Sequence, residues 1–399
     1  MSYERMPRAV LILALAQALF QTASVMVMTI GGLAGAQIAT RPELATVPIA
    51  TMFLGTAAMM FPASTWMARR GRRAGFMLGA FIGVAGGLLA ALGVSLNSLA
   101  VLSAGTCLVG AYQAFAQFYR FAASEAATPA SRARAISLVM TGGIVAAFLG
   151  PWLARLGQAM PMPHFMGAFV LLSVVSLLAF GALSRLNMPD IATDHVDTHQ
   201  GRAWREIVMQ PAYLVALFGA ATGYGVMILA MTATPIAMVH HHHGLAATAT
   251  VIQLHVLGMF LPSFVTGAFI ARIGATRVML LGVLLLTAHV LMTWTGTGFG
   301  SFASALILLG VGWNFLYIGG TSLLTSTYRP AEKSRAQATN DMTVFAVGLS
   351  CSFGAAPLLR WLGWQAMNGW LLPWLAAALL SLVWLGVRHR VAPAVAPGA

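Results

Sequence analysis

Two helix-spaced pairs, Met227-x-x-x-Met231 and His255-x-x-x-Met259, fall in consecutive apolar segments of the chain. Residues four apart share one face of an α-helix, separated by about 6 Å of rise. Each pair can therefore aim two donor atoms at one point. Three thioethers and an imidazole make a soft ligand set, better suited to cuprous ion than to a hard cation. Depth supports convergence. If the first segment runs outward and ends near residue 238, Met231 and Met227 lie about 10 and 16 Å below its outer end. If the second enters near 246, His255 and Met259 lie about 13 and 20 Å down. The structural alternative is packing: methionine is a pliable filler of apolar cores, and a neutral histidine can tie two helices by hydrogen bonds. An ionisable group inside an apolar span is costly and tends to be functional.

The elements that must position these residues are membrane helices. Of 399 residues, 59% are hydrophobic and only 8% charged, against roughly 25% charged in a soluble chain. Stretches of about 20 apolar residues, enough to cross a hydrocarbon core of about 30 Å, recur throughout. The pattern predicts twelve spans, at 8–30, 44–67, 74–96, 98–123, 134–157, 163–185, 210–238, 246–271, 276–297, 301–325, 337–360 and 366–388. The first is too long for a signal-peptide core and is read as a span. The net charge of +13 reflects topology and not a nucleic-acid partner. Eighteen basic residues, including Arg69, Arg70, Arg72, Arg73, Arg132, Arg272 and Arg335, fall on the side of the N-terminus. Arg41, Arg155 and Arg360 fall on the other, and Arg120 lies within a span. This asymmetry predicts cytoplasmic termini in a multi-pass protein of the bacterial inner membrane. Cys107 and Cys351, the two cysteines, both fall inside spans and form neither a disulfide framework nor a redox pair.

The chain repeats itself once. Ser131-Arg132-Ala133-x-Ala135 returns as Ser334-Arg335-Ala336-x-Ala338, and Arg69-x-Gly71 returns as Arg272-x-Gly274, at a constant offset of 203 residues. Such a repeat predicts an all-α membrane protein of two six-helix halves, 1–185 and 209–399, joined by a polar cytoplasmic linker over 186–208. On these residues the chain resembles the major facilitator superfamily. The loop signature Gly-x-x-x-Asp-Arg-x-Gly-Arg-Arg is matched at Arg69, Gly71, Arg72 and Arg73, while Ser64 replaces its glycine and Ala68 its aspartate. The second copy keeps Gly267, Arg272 and Gly274, again with alanine, Ala271, at the acidic place. Loss of both acids puts the usual charge relay at the cytoplasmic side in question. Within that superfamily the paired motifs are similar to those of the CcoA-type copper importers, which supply copper for cytochrome oxidase assembly. The resemblance implies a copper importer with Met227, Met231, His255 and Met259 as ligands, copper as substrate and not cofactor, and a copper chaperone as a possible partner.

Other residues carry related chemistry. Subtracting the repeat offset maps Met231 onto Met28 and His255 onto Met52, two candidate ligands in the first half. Two segments on the outward side, His240, His241, His242 and His243 and the run Met160, Met162, His164 and Met166, are candidates for metal capture, with exposed loops as the alternative. Arg120, Glu125 and Asp341 lie towards the cytoplasmic side as a candidate gate or coupling group, or as fixed helix ties. Gln17, Gln21, Ser24 and Met28, and Gln113, Gln117, Arg120 and Ser124, recur at three- and four-residue steps as polar faces along a path. No Walker sequence occurs, and no segment suggests an enzyme domain. Alternating access between the halves is the expected mechanism. A second reading has the methionines lining an adaptable apolar cavity for an amphipathic organic solute, selected by Trp313, Asn314, Tyr317 and Gln253. A third is a membrane sensor that binds metal without moving it.

Overall fold

The computed structural model describes residues 6–41, 44, 47–163, 165–188 and 202–391. Among them every regular element is helical. Apolar sequence in a bilayer must satisfy its backbone internally, and a helix does so within one segment. The twelve expected spans all fall on helices, several of them broken. Contacts divide the chain into two compact units.

The first unit comprises residues 1–201 and 330–342. Its helices are α1 (Arg8–Ile38), α2 (Val47–Arg70), α3 (Arg72–Ser95), α4 (Leu99–Ala116), α5 (Tyr119–Ala126), α6 (Arg132–Met140), α7 (Gly142–Gln158) and α8 (Met166–Leu183). The expected fourth span is thus α4 and α5 in succession, and the fifth is α6 and α7. Small residues let backbones touch. A Cβ on Gly110 of α4 would lie 1.9 Å from the Met52 carbonyl oxygen of α2, so only glycine fits that crossing.

The second unit comprises residues 202–329 and 343–399. It contains α9 (Trp204–Val208), α10 (Pro211–His240), α11 (Leu245–Phe260), α12 (Ser263–Ile273), α13 (Ala275–Thr293) and α14 (Phe299–Leu324). After one 3-10 turn (Pro330–Glu332) come α15 (Lys333–Gly369) and α16 (Leu372–Val391). The opening turns of α15, through Met342, pack with the first unit and its remainder with the second. The expected eighth span breaks into α11 and α12 at Pro262, which has no N–H to continue the ladder. Helix α14 packs extensively against α10, α11 and α13, whereas α10 and α11 meet each other sparsely. The repeat is visible in backbone geometry. Gly71 between α2 and α3 has φ +85°, and Gly274 between α12 and α13 has φ +88°, a conformation that glycine alone adopts without strain.

By length and composition, eleven described segments can cross a membrane. The expected eleventh span, 337–360, is not a separate one of these: it lies in α15, which kinks at Gly363 (φ +77°), and the last of the eleven runs Pro357–Arg388. Large apolar side chains remain exposed along the helices, among them Phe81, Trp152, Leu178, Phe264, Phe353 and Leu380. A soluble surface rarely presents such residues in bulk; a lipid-facing one does.

Candidate functional site

Within the second unit, Met227 and Met231 lie on α10, and His255 and Met259 on α11. Met227, His255 and Met259 are buried, and Met231 is half-buried. His255 is turned onto α14: its Nδ1 donates to the Leu306 carbonyl at 2.9 Å. In a neutral ring that bond leaves Nε2 as the lone-pair nitrogen, and Nε2 has no hydrogen-bond partner among the described residues. The backbone from His255 to Met259 runs tight against Gly310, whose Cβ would meet the His255 oxygen at 2.6 Å and the Met259 nitrogen at 2.7 Å. The helix-spaced pair therefore lies along the α11–α14 seam. Among the described residues, no three His, Cys, Asp or Glu side chains are grouped so as to hold a metal ion.

Aromatic side chains of the same unit form a continuous wall. Trp313 and Tyr317, one turn apart on α14, stack with ring centroids 4.9 Å apart and planes 16° apart. Tyr224 of α10 lies 6.3 Å from Tyr317 and 5.2 Å from Phe345 of α15. Phe260 closes on Trp313 from α11 at 5.8 Å. Gly348 makes room for this wall, since a Cβ there would lie 2.4 Å from the Tyr224 ring. Trp313 is buried, and its indole Nε1 has no partner among the described residues. A planar aromatic surface with one unused N–H donor can stack a flat heterocycle and hydrogen-bond to its edge.

Two residues expected to select a solute stand elsewhere. Asn314 is fully buried and donates to the Met259 carbonyl and to Ser263 Oγ, each at 2.6 Å, while accepting from Thr266 at 2.7 Å. It mends the break at Pro262, so its amide is spent on joining α11, α12 and α14. Gln253 is exposed on α11.

In the first unit the charged groups sort into two sets. Arg120 pairs with Asp341 in a fully buried contact, with Gln117 accepting from Arg120 at 3.0 Å and Asn340 donating to Asp341 at 2.8 Å. The Arg120 guanidinium also lies 4.7 Å from the centre of the Phe121 ring. Glu125 is not part of that pair. It accepts from Arg72 at 2.7 Å and from Lys333 at 3.3 Å, and Arg72 donates to Gln337 at 2.7 Å. Burial lowers the Lys333 ammonium from its ordinary value, and Glu125 opposes that shift. With alanine at the signature's acidic place, Arg72 finds a carboxylate on α5 instead. Ser64, at the degraded glycine position, bonds to both the hydroxyl and the carbonyl of Ser334 at 2.9 Å.

The His/Met segments expected to face outward are less organised. His240 and His242 are exposed. His243 places Nε2 2.7 Å from the Thr297 carbonyl, an N–H bond that fastens the end of α10. Partial burial and the neighbouring histidines depress the His241 imidazole below its ordinary value. Met160 and Met166 are half-buried, and Met162 is exposed; His164 lies outside the described residues. Met52 sits in the apolar core of the first unit with Met26, Val27 and Ile30, whereas Met28 is 45% exposed.

The fold and these groups define a polytopic transporter. The sequence pattern of the Major Facilitator Superfamily matches residues 10–261, and the chain belongs to that family. It is 39% identical over 378 residues to the riboflavin transporter RfnT of Brucella anthropi, covering 94% of this chain and 95% of that one. It is 29% identical over 348 residues to the uncharacterised transporter YdeG of Bacillus subtilis, covering 80% and 78% of the two chains. Among solved structures, the E. coli fucose:proton symporter FucP matches with TM-score 0.78 at 14% identity, over 95% of this chain and 99% of that one. A bacterial homologue of the iron transporter ferroportin matches with TM-score 0.73 at 14% identity, over 96% and 100%. At such identity the structural likeness is one of fold alone. Nothing in these relatives supports copper as the substrate or a role in cytochrome oxidase assembly. The riboflavin relative favours the organic-solute reading.

Three features escape the reading of the sequence. Tyr224 and Phe345 join Trp313 and Tyr317 only through helix packing. The Arg72–Glu125–Lys333 set links three distant stretches of chain. His289 carried the same signal as His255, an imidazole inside an apolar span, but no methionine stands four residues on to draw attention to it.

Proposed function

We propose that this chain is a secondary transporter of a planar heteroaromatic solute of the riboflavin class, working by alternating access in the bacterial inner membrane with both termini cytoplasmic. The observation that carries the reading is the aromatic wall of Tyr224, Trp313 and Tyr317 with its unused indole N–H, in a chain 39% identical along nearly its whole length to a riboflavin transporter. A flat bicyclic or tricyclic ring stacks on such a wall, and its carbonyl edge accepts from Trp313 Nε1. His255 Nε2 offers the complementary acceptor for a ring N–H. Met227, Met231 and Met259 serve as polarizable, adaptable apolar lining, not as a cuprous site. The Arg120–Asp341 pair is the proposed gate: it must open whenever the first turns of α15 leave the first unit. Glu125 acts with Arg72 and Lys333 in a separate lock.

Uptake of labelled riboflavin by a riboflavin-requiring bacterium expressing the chain tests this directly. Accumulation above the vector control, abolished by Trp313→Ala and by excess unlabelled riboflavin, is expected. Accumulation of copper without riboflavin would overturn the reading and restore the metal site.

A further inference from the structure

His289 of α13 is fully buried, and both of its ring nitrogens face oxygen acceptors. Nδ1 lies 2.8 Å from the Ala305 carbonyl of α14, and Nε2 lies 3.1 Å from Oδ1 of Asn368 on α15. The orientation of the Asn368 amide is set by its own bond, for its Nδ2 donates to the Trp364 carbonyl at 2.8 Å. Turning the amide over would bring Oδ1 against that carbonyl instead. A neutral imidazole has one N–H and one lone pair, so in either orientation one lone pair is pressed against another. An imidazolium has two N–H groups and satisfies both acceptors.

We propose that His289 is a proton-binding site, and that solute movement by this chain is coupled to protonation there. A proton adds to the lone-pair nitrogen of the neutral ring, and the new N–H donates to the facing oxygen. The ring then clasps α13 to α14 and α15; deprotonation turns one of the two bonds into a repulsive contact and loosens the clasp. Trp294 ties the same two helix ends a second time by donating to the Gln365 carbonyl at 3.2 Å. His289 stands four residues before the end of α13 at Thr293, about 6 Å along the axis. In the proposed orientation that is the outer end, where protons from outside arrive.

The charged surroundings suit a site that both gains and loses its proton. From residue 207 to 329 and from 343 to 399 the sequence contains no Asp or Glu, so no carboxylate holds the ring permanently charged. Of the elements on α13, α10 carries Tyr213, Tyr224 and His240, α12 carries Arg272, α14 carries Tyr317, α15 beyond Met342 carries Cys351 and Arg360, and α16 carries Arg388. Helix α11 brings His255, which bonds to Leu306, the carbonyl next to Ala305. Both acceptors are placed to receive the two N–H groups of the protonated ring.

The inference rests on the transporter reading, and two measurements separate them. In purified protein with 15N-labelled histidine, one of the imidazolium signals that NMR shows growing as the pH falls from about 8 to about 5, the range over which histidine changes charge, should belong to His289. That signal should be absent in His289→Gln. Asn368→Asp, which places a carboxylate beside the ring, should move the titration to higher pH. A ring at 289 that stays neutral throughout, or whose titration ignores Asn368→Asp, overturns the proposal. In proteoliposomes an acid-outside gradient should stimulate riboflavin uptake several-fold, and His289→Gln should lose the stimulation while keeping riboflavin exchange. Uptake by the wild type that ignores the gradient overturns the coupling alone. Absence of any riboflavin transport overturns the reading, and the NMR titration still decides whether His289 binds a proton.

Discussion

A single indole nitrogen distinguishes the proposed solute-binding wall from an ordinary aromatic core. Trp313→Phe keeps the stacking surface and removes only the N–H donor. The loss of one hydrogen bond, about 1–2 kcal/mol, should raise the KM for riboflavin roughly five- to thirty-fold, with little change in the amount of folded protein. Trp313→Ala should cost more, because it also removes the stacking face. Uptake kinetics of the two variants separate these contributions. The four histidines that follow α10 give the opposite expectation. Burial and the neighbouring histidines hold the His241 imidazole below its ordinary value, and His243 is engaged with Thr297. Replacing the exposed His240 and His242 with alanine should leave riboflavin uptake unchanged, whereas His243→Ala should loosen the end of α10 and lower yield or thermal stability.

At the scale of elements, Asn314 shows how a polar residue inside an apolar span can be structural. Its amide satisfies the Met259 carbonyl beside Pro262 and collects two hydroxyls from α12. Asn314→Leu strands those buried groups at about 1–3 kcal/mol each. The variant should lower the midpoint of thermal unfolding in detergent by several degrees, with transport falling in proportion to folded protein. Gly348 gives a contrasting case. Gly348→Ala should push Tyr224 off its place against Tyr317 and impair riboflavin affinity more than stability, since a ring edge can swing aside where a backbone cannot. Comparing binding with melting temperature for these two variants distinguishes tie from site.

The whole molecule depends on the opening turns of α15, which belong by contact to the first unit while the rest of the helix belongs to the second. Arg120 and Asp341 are both buried in that contact. Removing one partner of a buried ion pair leaves an uncompensated charge and costs about 3–5 kcal/mol, whereas removing both is far milder. Arg120→Ala and Asp341→Ala should each abolish uptake and reduce stability, and the double variant should melt above either single one. A double variant no more stable than the singles would show that the two side chains act independently.

The sequence by itself determined the class of protein, its build from long apolar helices, and the repeat that recurs in the paired geometry of Gly71 and Gly274. These follow from local rules: hydrocarbon thickness sets span length, and glycine alone tolerates φ near +85°. Trp313 and Tyr317 were legible as neighbours on one helix face, and their rings stack. What only the tertiary structure decided was which polar groups are occupied and which are free. Asn314 and His255 read alike as polar residues in apolar spans, yet one is saturated and the other keeps an open nitrogen. Glu125 and Asp341 read as one gate, yet packing gives them different arginines. The four metal candidates share depth and spacing, but spacing along a chain fixes only which face of its own helix a residue occupies. Rotation of that helix against its neighbours, set by small residues such as Gly310 and Gly348, decides what the face meets.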